Sequence, residues 1–142
     1  MRFFLLLLVT FLLLVGRVNA QEVLGNTSVG VAGTDVITKA VTAYNDKDID
    51  AYVACFSPNV KVYNAAGVLL YEGRDKLRSS LEAYFRTNPQ ARRKVIDRMN
   101  AGGRIVEREK ITGLKGDSAY SATAVYELDG GLIRSFYLVG EF

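Results

Sequence analysis

The sequence predicts an α+β domain, in which helices come first and antiparallel strands follow. Up to Asn88-Pro89, most apolar residues recur at the spacing of helices that bury one face. Beyond that point, strand-like stretches alternate with short glycine-containing turns at 101–103, 115–117 and 129–131. Because tight turns of this kind join antiparallel neighbours, we do not expect a parallel α/β architecture.

The first twenty residues have the pattern of a signal peptide. An apolar run from Phe3 to Val15 follows Arg2, and Val18-Asn19-Ala20 supplies a small-residue cleavage site. A helix that spans a bilayer needs roughly 20 apolar residues, so this run is too short for a comfortable anchor. We therefore expect cleavage after Ala20 and an exported protein, periplasmic or extracellular, with no membrane attachment once the signal peptide is removed.

Residues 34–142 are expected to form one domain, after a flexible lead-in at 21–33 that is rich in glycine and small polar residues. Thr34-Asp35 can cap a first helix. Asp48 can cap a second helix, which Ser57-Pro58 is expected to stop.

A hairpin and a third helix complete the first half of the domain. Val60 to Tyr63 and Val68 to Tyr71 are short apolar stretches around Ala65-Ala66-Gly67, which predicts the hairpin. The third helix follows Gly73 and ends at Asn88-Pro89. The remaining residues predict strands at 94–100, 104–114, 118–128 and 132–140.

The composition excludes several kinds of site. The chain has no histidine and one cysteine, Cys55, so neither an intramolecular disulfide nor a structural zinc site can form, and we expect no metal and no cofactor. Loss of Arg2 and Arg17 with the signal peptide takes the 18 basic residues to 16 against 15 acidic ones. A nearly neutral chain predicts no nucleic-acid partner. Its dense basic run, Arg92-Arg93-Lys94, is interpreted as the solvated start of a strand.

Five stretches of the domain carry a resemblance to a known superfamily. They are Ala43–Asp50, Phe56–Val60, Tyr71–Asp75, Arg104–Gly113 and Ala124–Ile133. In this order and spacing they resemble the nuclear transport factor 2-like superfamily, in its SnoaL-like and ketosteroid-isomerase-like bacterial branch. The resemblance implies a cone-shaped, cystatin-like fold, in which a curved antiparallel sheet wraps around about three helices and an apolar pocket opens at the wide end. It also implies a homodimer through the outer face of the sheet. Because this fold hosts isomerases, cyclases, dehydratases and binding modules, it implies no single activity.

The catalytic positions of the ketosteroid isomerases are vacant in this sequence. The resemblance places Asn64 at the position of their general base and Ala40 at that of an oxyanion-hole tyrosine. Their second acid would fall around Ala122 to Ala124, where no acid occurs. Because an amide cannot take a proton from carbon near neutral pH, this isomerase mechanism is disfavoured.

Glu107 and Glu109 are the remaining candidates for catalytic residues. Two positions apart on a strand, they point to the same face as Ile105 and Ile111. In a pocket, one carboxyl group of so close a pair would have a raised pKa and could serve as an acid or a base. The alternative, which we favour, is an exposed face on which both glutamates pair with nearby basic residues, namely Arg98, Arg108 or Lys110.

The predicted ligand-pocket residues are Tyr63, Asn64, Tyr126 and Tyr137. Their phenol and amide groups can orient the carbonyl or hydroxyl of a ligand. The commoner alternative for the tyrosines is a place in the core or at its rim.

Two functions remain open from the sequence. The favoured one is a non-catalytic module that binds a small, mostly apolar ligand or associates with itself. The alternative is an acid/base isomerase, cyclase or dehydratase that acts on a cyclic carbonyl or hydroxy compound through Glu107 or Glu109. A glutamate buried beside Tyr63 or Tyr126 would weaken the binding-only hypothesis. A role in self-association alone predicts an apolar outer sheet face around Phe136 and Leu138.

Overall fold

The computed structural model describes the backbone of residues 21–140 and the side chains of residues 34–139. The predicted signal peptide, residues 1–20, lies outside the described residues. The described helices are α1 (Gln21–Asp46), α2 (Ile49–Ala54) and α3 (Arg74–Thr87). The strands are β1 (Phe56–Asn64), β2 (Leu69–Glu72), β3 (Arg92–Ala101), β4 (Arg104–Thr112), β5 (Tyr120–Asp129) and β6 (Leu132–Gly140).

The predicted α+β fold is confirmed. The described strands form one six-stranded sheet in the order β2-β1-β6-β5-β4-β3. Neighbouring strands are antiparallel, except for β1 and β6, which are parallel. The helices pack against one face of the sheet, and the core lies between the two layers. No helix in the described residues is long and apolar enough to cross a membrane.

The first helix begins earlier than the sequence predicts. The backbone of residues 21–33 is helical and continues into the rest of α1, where a flexible lead-in was expected. Thr34-Asp35 therefore lies inside the helix and does not cap it. The segment has three glycines, each of which weakens a helix by up to about 1 kcal/mol, but no proline, which would end it.

The second helix begins as predicted but ends sooner. The Asp48 side chain accepts a hydrogen bond from the Ala51 backbone N–H at 2.9 Å, which is an N-cap. The helix ends at Ala54, and β1 then runs through Pro58, which was expected only to stop the helix. Proline is tolerated there because β1 pairs with β6 at Phe56 and again from Lys61, so Pro58 lies in an irregular part of the ladder.

The predicted hairpin and third helix are confirmed. Strands β1 and β2 pair around a loop in which the Asn64 side chain accepts hydrogen bonds from the Ala66 and Val68 backbone N–H groups. Helix α3 follows Gly73, whose φ of 95° is a conformation that side chains with a β-carbon rarely adopt. Its buried face consists of Leu77, Leu81 and Phe85.

The predicted alternation along β4 is confirmed, but the shared face points inward, where an exposed face was favoured. Ile105, Glu107, Glu109 and Ile111 alternate along the strand and are all buried. Strand β3, which pairs with β4, has a bulge at Ile96, where the register shifts by one residue.

Candidate functional site

A cavity of about 240 Å³ lies between the helices and the inner face of the sheet. Its wall is mostly aromatic and aliphatic, and its polar groups are tyrosine hydroxyls, one buried ion pair and the Ser80 hydroxyl. The lining residues are Tyr44, Tyr52, Tyr71, Leu77, Ser80, Leu81, Tyr84, Arg93, Glu109, Ile111, Tyr120, Phe136 and Leu138.

Two helices contribute a pair of hydrogen-bonded phenols to this wall. The Tyr44 hydroxyl, near the end of α1, lies 3.1 Å from the Tyr84 hydroxyl on α3. Burial raises the pKa of Tyr44 well above its usual value, and the bond to Tyr84 raises it further. Because each hydroxyl has one proton and two lone pairs, the bonded pair can present one O–H proton to the cavity.

Arg93 and Glu109 form a buried ion pair in the wall. The Arg93 Nε atom lies 2.9 Å from Glu109 Oε2, and its Nη2 atom binds Glu109 Oε1. The Glu109 side chain is completely buried and that of Arg93 is 5% exposed. This two-point contact gives each carboxylate oxygen of Glu109 a hydrogen-bond donor.

Tyr126 on β5 lies next to this ion pair. Its hydroxyl accepts a hydrogen bond from Arg93 Nη2 and lies 3.4 Å from Glu109 Oε1. Burial raises the pKa of Tyr126 well above its usual value. The phenol therefore remains a neutral donor near the carboxylate.

Asn45 holds Arg93 in place from the end of α1. Its side-chain amide donates to the Arg93 carbonyl at 2.9 Å and accepts from the Arg93 N–H at 2.8 Å. The Arg93 guanidinium also lies over the Tyr44 ring, 5.3 Å from its centroid. The start of β3 is thereby fixed to α1 beside the cavity.

Glu107 occupies a second buried position, two residues before Glu109 on the same face of β4. Arg98 contacts its Oε1 atom through Nε and Nη2. Arg98 also lies 3.0 Å from the Thr38 hydroxyl on α1. Burial, with the neighbouring Glu109 carboxyl, raises the pKa of Glu107 to about 7, although Arg98 opposes both effects.

The favoured sequence interpretation of the two glutamates is therefore wrong. Neither lies on an exposed face, because their strand turns them toward the helices together with Ile105 and Ile111. The expectation of Arg98 as a partner is confirmed for Glu107. Glu109 lies beside Tyr126, the arrangement expected to weaken the binding-only hypothesis.

Sequence reasoning missed Arg93. Its interpretation as part of a solvated strand start holds for Arg92 and Lys94, which are exposed, but not for Arg93, which is 7% exposed. The available signal was strand alternation, since Ala91 and Arg93 share a face that meets the core.

None of the four predicted pocket residues lines this cavity. Tyr63 and Tyr137 stack on each other, with ring centroids 4.6 Å apart, on the outer face of the sheet. Strand alternation explains this, because Val62 and Phe136 beside them point inward. Asn64 uses its side chain to close the hairpin loop. Tyr126 does not line the cavity, but it contacts two residues that do.

The isomerase positions hold no catalytic group in the structure. Ala40, Ala122 and Ala124 are buried, each with at most 2% exposure. Within residues 34–139, no three His, Cys, Asp or Glu side chains are grouped so that they could hold a metal ion.

Comparison with known proteins identifies the family. The family model of the SnoaL-like domain matches residues 37–136. The chain belongs to the SnoaL-like domain family. A solved structure of a nuclear transport factor 2-like protein from Cytophaga hutchinsonii has the same fold at 17% identity, with a TM-score of 0.64 over 77% of this chain and 89% of that chain.

Three solved structures illustrate the likeness of this SnoaL-like domain. An uncharacterised cystatin-fold protein from Novosphingobium aromaticivorans is 25% identical, with a TM-score of 0.67 over 75% of this chain and 96% of that chain. A candidate ketosteroid isomerase from Kribbella flavida is 14% identical, with a TM-score of 0.68 over 78% of each chain. A candidate polyketide cyclase from Sinorhizobium meliloti is 18% identical, with a TM-score of 0.66 over 73% of this chain and 93% of that chain. A comparison with curated proteins finds no match.

Proposed function

We propose that this SnoaL-like protein binds a small, neutral, mostly apolar molecule in the tyrosine-lined cavity. The observation that carries the proposal is the wall itself, in which aromatic and aliphatic side chains surround one ion pair. Ligand pockets typically combine apolar walls with a few fixed polar groups. Because the cavity of about 240 Å³ is below the range of about 300–1,000 Å³ that holds drug-sized molecules, the ligand is smaller than these.

The charges of the wall support a neutral ligand. Arg93 and Glu109 neutralise each other, so an ionic ligand would enter without a counter-charge. The Tyr44–Tyr84 pair can supply an O–H donor. A ligand with one carbonyl or hydroxyl group on an apolar body would match these groups.

The contacts of Glu109 support binding without conversion. A general base must have a lone pair directed at the proton that it removes. Arg93 occupies both carboxylate oxygens of Glu109, and Tyr126 lies near one of them. In this state the carboxylate has little capacity left for a substrate proton.

Native mass spectrometry combined with thermal unfolding tests the binding proposal. We expect a co-purified molecule, or a rise in Tm with a panel of neutral carbonyl and hydroxy compounds. Ser80→Phe would place a ring at the exposed rim of the cavity and abolish both signals. Ser79→Phe is the matched control, because Ser79 is exposed on the same helix but does not line the cavity. A wild-type cavity that is always empty and never stabilised by the panel would contradict the proposal.

Acid/base chemistry on a carbonyl or hydroxy compound is the second candidate function. The observation that favours it is the position of Glu109, which lies on the cavity wall and has Glu107 as its neighbour on the same face of β4. Any molecule found by mass spectrometry would be incubated with wild-type protein and with Glu109→Gln. Conversion to an isomer or a dehydrated product by the wild type alone would replace the binding-only proposal with this one.

We also propose that the protein forms a homodimer through the outer face of the sheet. A row of apolar side chains in register crosses this face from strand to strand. The row consists of Met99, Val106, Val125, Tyr137 and Tyr63. A continuous apolar row with charged neighbours has the composition of a small interface.

Export is proposed from the N-terminal pattern of the sequence. Cleavage after Ala20 would leave Gln21 as the first residue of the mature protein. Intact-mass measurement of protein recovered from the periplasm or the medium of an expressing bacterium tests this. A protein that keeps residues 1–20 and stays with the cytoplasmic fraction would contradict it.

A further inference from the structure

Two carboxyl groups are buried side by side on β4. Glu107 and Glu109 each have 0% exposure. They lie two positions apart on the same face of the strand, and the neighbouring Glu109 carboxyl raises the pKa of Glu107. Two neighbouring carboxylates in the interior repel strongly if both are ionised. A pair that shares one proton therefore has the lower free energy.

The two arginines differ in how many glutamate oxygens they bind and in how deeply they are buried. Arg93 binds both oxygens of Glu109 and is itself almost completely buried. Arg98 binds only Oε1 of Glu107, and its side chain is 22% exposed. Arg98 also divides its donors between Glu107 and the Thr38 hydroxyl. Glu109 is therefore the better stabilised anion of the pair.

One oxygen of Glu107 has no donor. Its Oε2 atom is buried, and no hydrogen-bond partner reaches it within the described part of the chain. Leaving a buried charged oxygen without a partner is costly. A proton on Glu107 removes this cost, since the carboxylic acid can donate to the neighbouring carboxylate of Glu109.

We propose that Glu107 is a carboxylic acid in the folded protein and that it shares its proton with Glu109. The hydrogen bond between them joins Glu107, which does not line the cavity, to Glu109, which does. The proton can move along this bond from Glu107 to Glu109, and Glu107 is then left as an anion beside Arg98. This transfer places the proton on Glu109 at the cavity wall only in the minor state of the pair, because Arg93 makes Glu109 the better stabilised anion.

The groups that face this pair from the surrounding elements support the assignment. Arg93 and Arg98 face it from β3, Tyr126 from β5 and Tyr52 from α2. Burial raises the pKa of Tyr52 to about 12 and that of Tyr126 far above its usual value, so both phenols stay neutral. Burial likewise raises the pKa of Glu107 to about 7, so among these groups it is the one that titrates near neutrality.

The raised pKa of Glu107 fixes the sign of a pH effect on stability. Between the ordinary carboxyl range and about pH 7, the folded protein holds this proton and the unfolded chain has lost it. The contribution of Glu107 to stability is therefore fully present below the ordinary carboxyl pKa. It is lost as the pH rises through about 7.

Thermal unfolding from about pH 4 to about pH 9 tests the proposal with wild type, Glu107→Gln and Glu127→Gln. Glutamine keeps an N–H donor for Glu109 and an oxygen for Arg98 but does not titrate, so Glu107→Gln should remove the fall in Tm that the wild type shows between the ordinary carboxyl range and about pH 7. Glu127 is the matched control, because Ser135, Arg104 and Arg134 lower its pKa and its effect is confined to the acidic side. Glu127→Gln should leave the fall that ends at about pH 7 unchanged.

A direct measurement on the wild type keeps the proposal open to refutation if the Gln variant does not fold. In protein labelled with carbon-13 at the glutamate carboxyl groups, one resonance should titrate near pH 7, and it should be missing from Glu107→Gln where that variant folds. If every glutamate carboxyl titrates in the ordinary range, or if Glu107→Gln keeps the wild-type pH dependence of Tm, Glu107 does not hold the proton.

Discussion

Arg98 lies opposite Glu107 because the bulge at Ile96 shifts the register of β3 and β4. Arg93 and Arg98 are an odd number of positions apart, so a regular strand would turn them to opposite faces. The extra residue turns both toward the helices. A single irregularity in an edge strand therefore gives each of the two buried glutamates an arginine of its own.

We expect Arg93→Met to lower the free energy of unfolding by about 3–5 kcal/mol, because Glu109 would remain buried without its cation. Arg98→Met should cost less, about 1–2 kcal/mol, since a protonated Glu107 loses a hydrogen-bond donor and no counter-charge. Urea unfolding measures both losses of stability, at about pH 6, which is below the raised pKa of Glu107. Arg92→Met, at an exposed position, should change stability by less than about 0.5 kcal/mol. Equal losses for Arg93→Met and Arg98→Met would argue that Glu107 is ionised.

Gly113 should not tolerate a side chain. It follows β4 with a φ of +69°, and a β-carbon there would lie 1.9 Å from the Gln90 carbonyl oxygen. Gly113→Ala must therefore displace the backbone that leads into β3, and we expect a loss of about 2 kcal/mol or more. Gly116→Ala is the matched control, because its φ of +79° imposes similar strain but no atom lies within 4 Å of the added carbon. Urea unfolding measures the stability of both variants. If each loses only about 1 kcal/mol, the backbone at Gln90 moves away from the added carbon without a further loss of stability.

Local patterns were sufficient to predict most of the fold. The cap at Asp48, the hairpin, the helix after Gly73 and the alternation along β4 each depend on residues close together in sequence. The start of α1 was not predictable in this way. Residues 21–33 contain glycines and polar residues that weaken a helix without forbidding it, so propensity alone does not locate its beginning.

The site was harder to predict because it depends on contacts between distant residues. A buried arginine is improbable on composition alone, and only its partner Glu109 makes the burial of Arg93 favourable. The bulge at Ile96, which positions Arg98, has no glycine or proline to mark it. The outward position of Tyr63, in contrast, could have been predicted, since Val60 and Val62 on the same strand require the inner face.

Asp48→Ala should lower the free energy of unfolding by about 1 kcal/mol, because the Ala51 N–H loses its acceptor at the start of α2. Asp35→Ala is the control, since Asp35 is exposed within α1 and alanine favours a helix, so stability should not fall. Urea unfolding of both variants measures the difference. If both variants unfold like the wild type, the Asp48 cap contributes nothing in solution.

The apolar row on the outer sheet face makes the dimer proposal testable. Val125 lies at its centre, between Val106 on β4 and Tyr137 on β6, and all three are partly buried without a partner molecule. A dimer would bury these side chains further, so Val125→Glu should put a charge into the interface and separate the subunits.

Sedimentation velocity should show a dimer for the wild type and a monomer for Val125→Glu. The protein concentration should be on the order of tens of micromolar, a range in which a weak dimer still forms. Ser79→Glu, at an exposed position on α3 away from this face, should remain dimeric. Unchanged circular dichroism would show that Val125→Glu is still folded, because its side chain points away from the core between the helices and the sheet. A wild type that sediments as a monomer over this range would refute the dimer, and the apolar row would then be an exposed surface of the monomer.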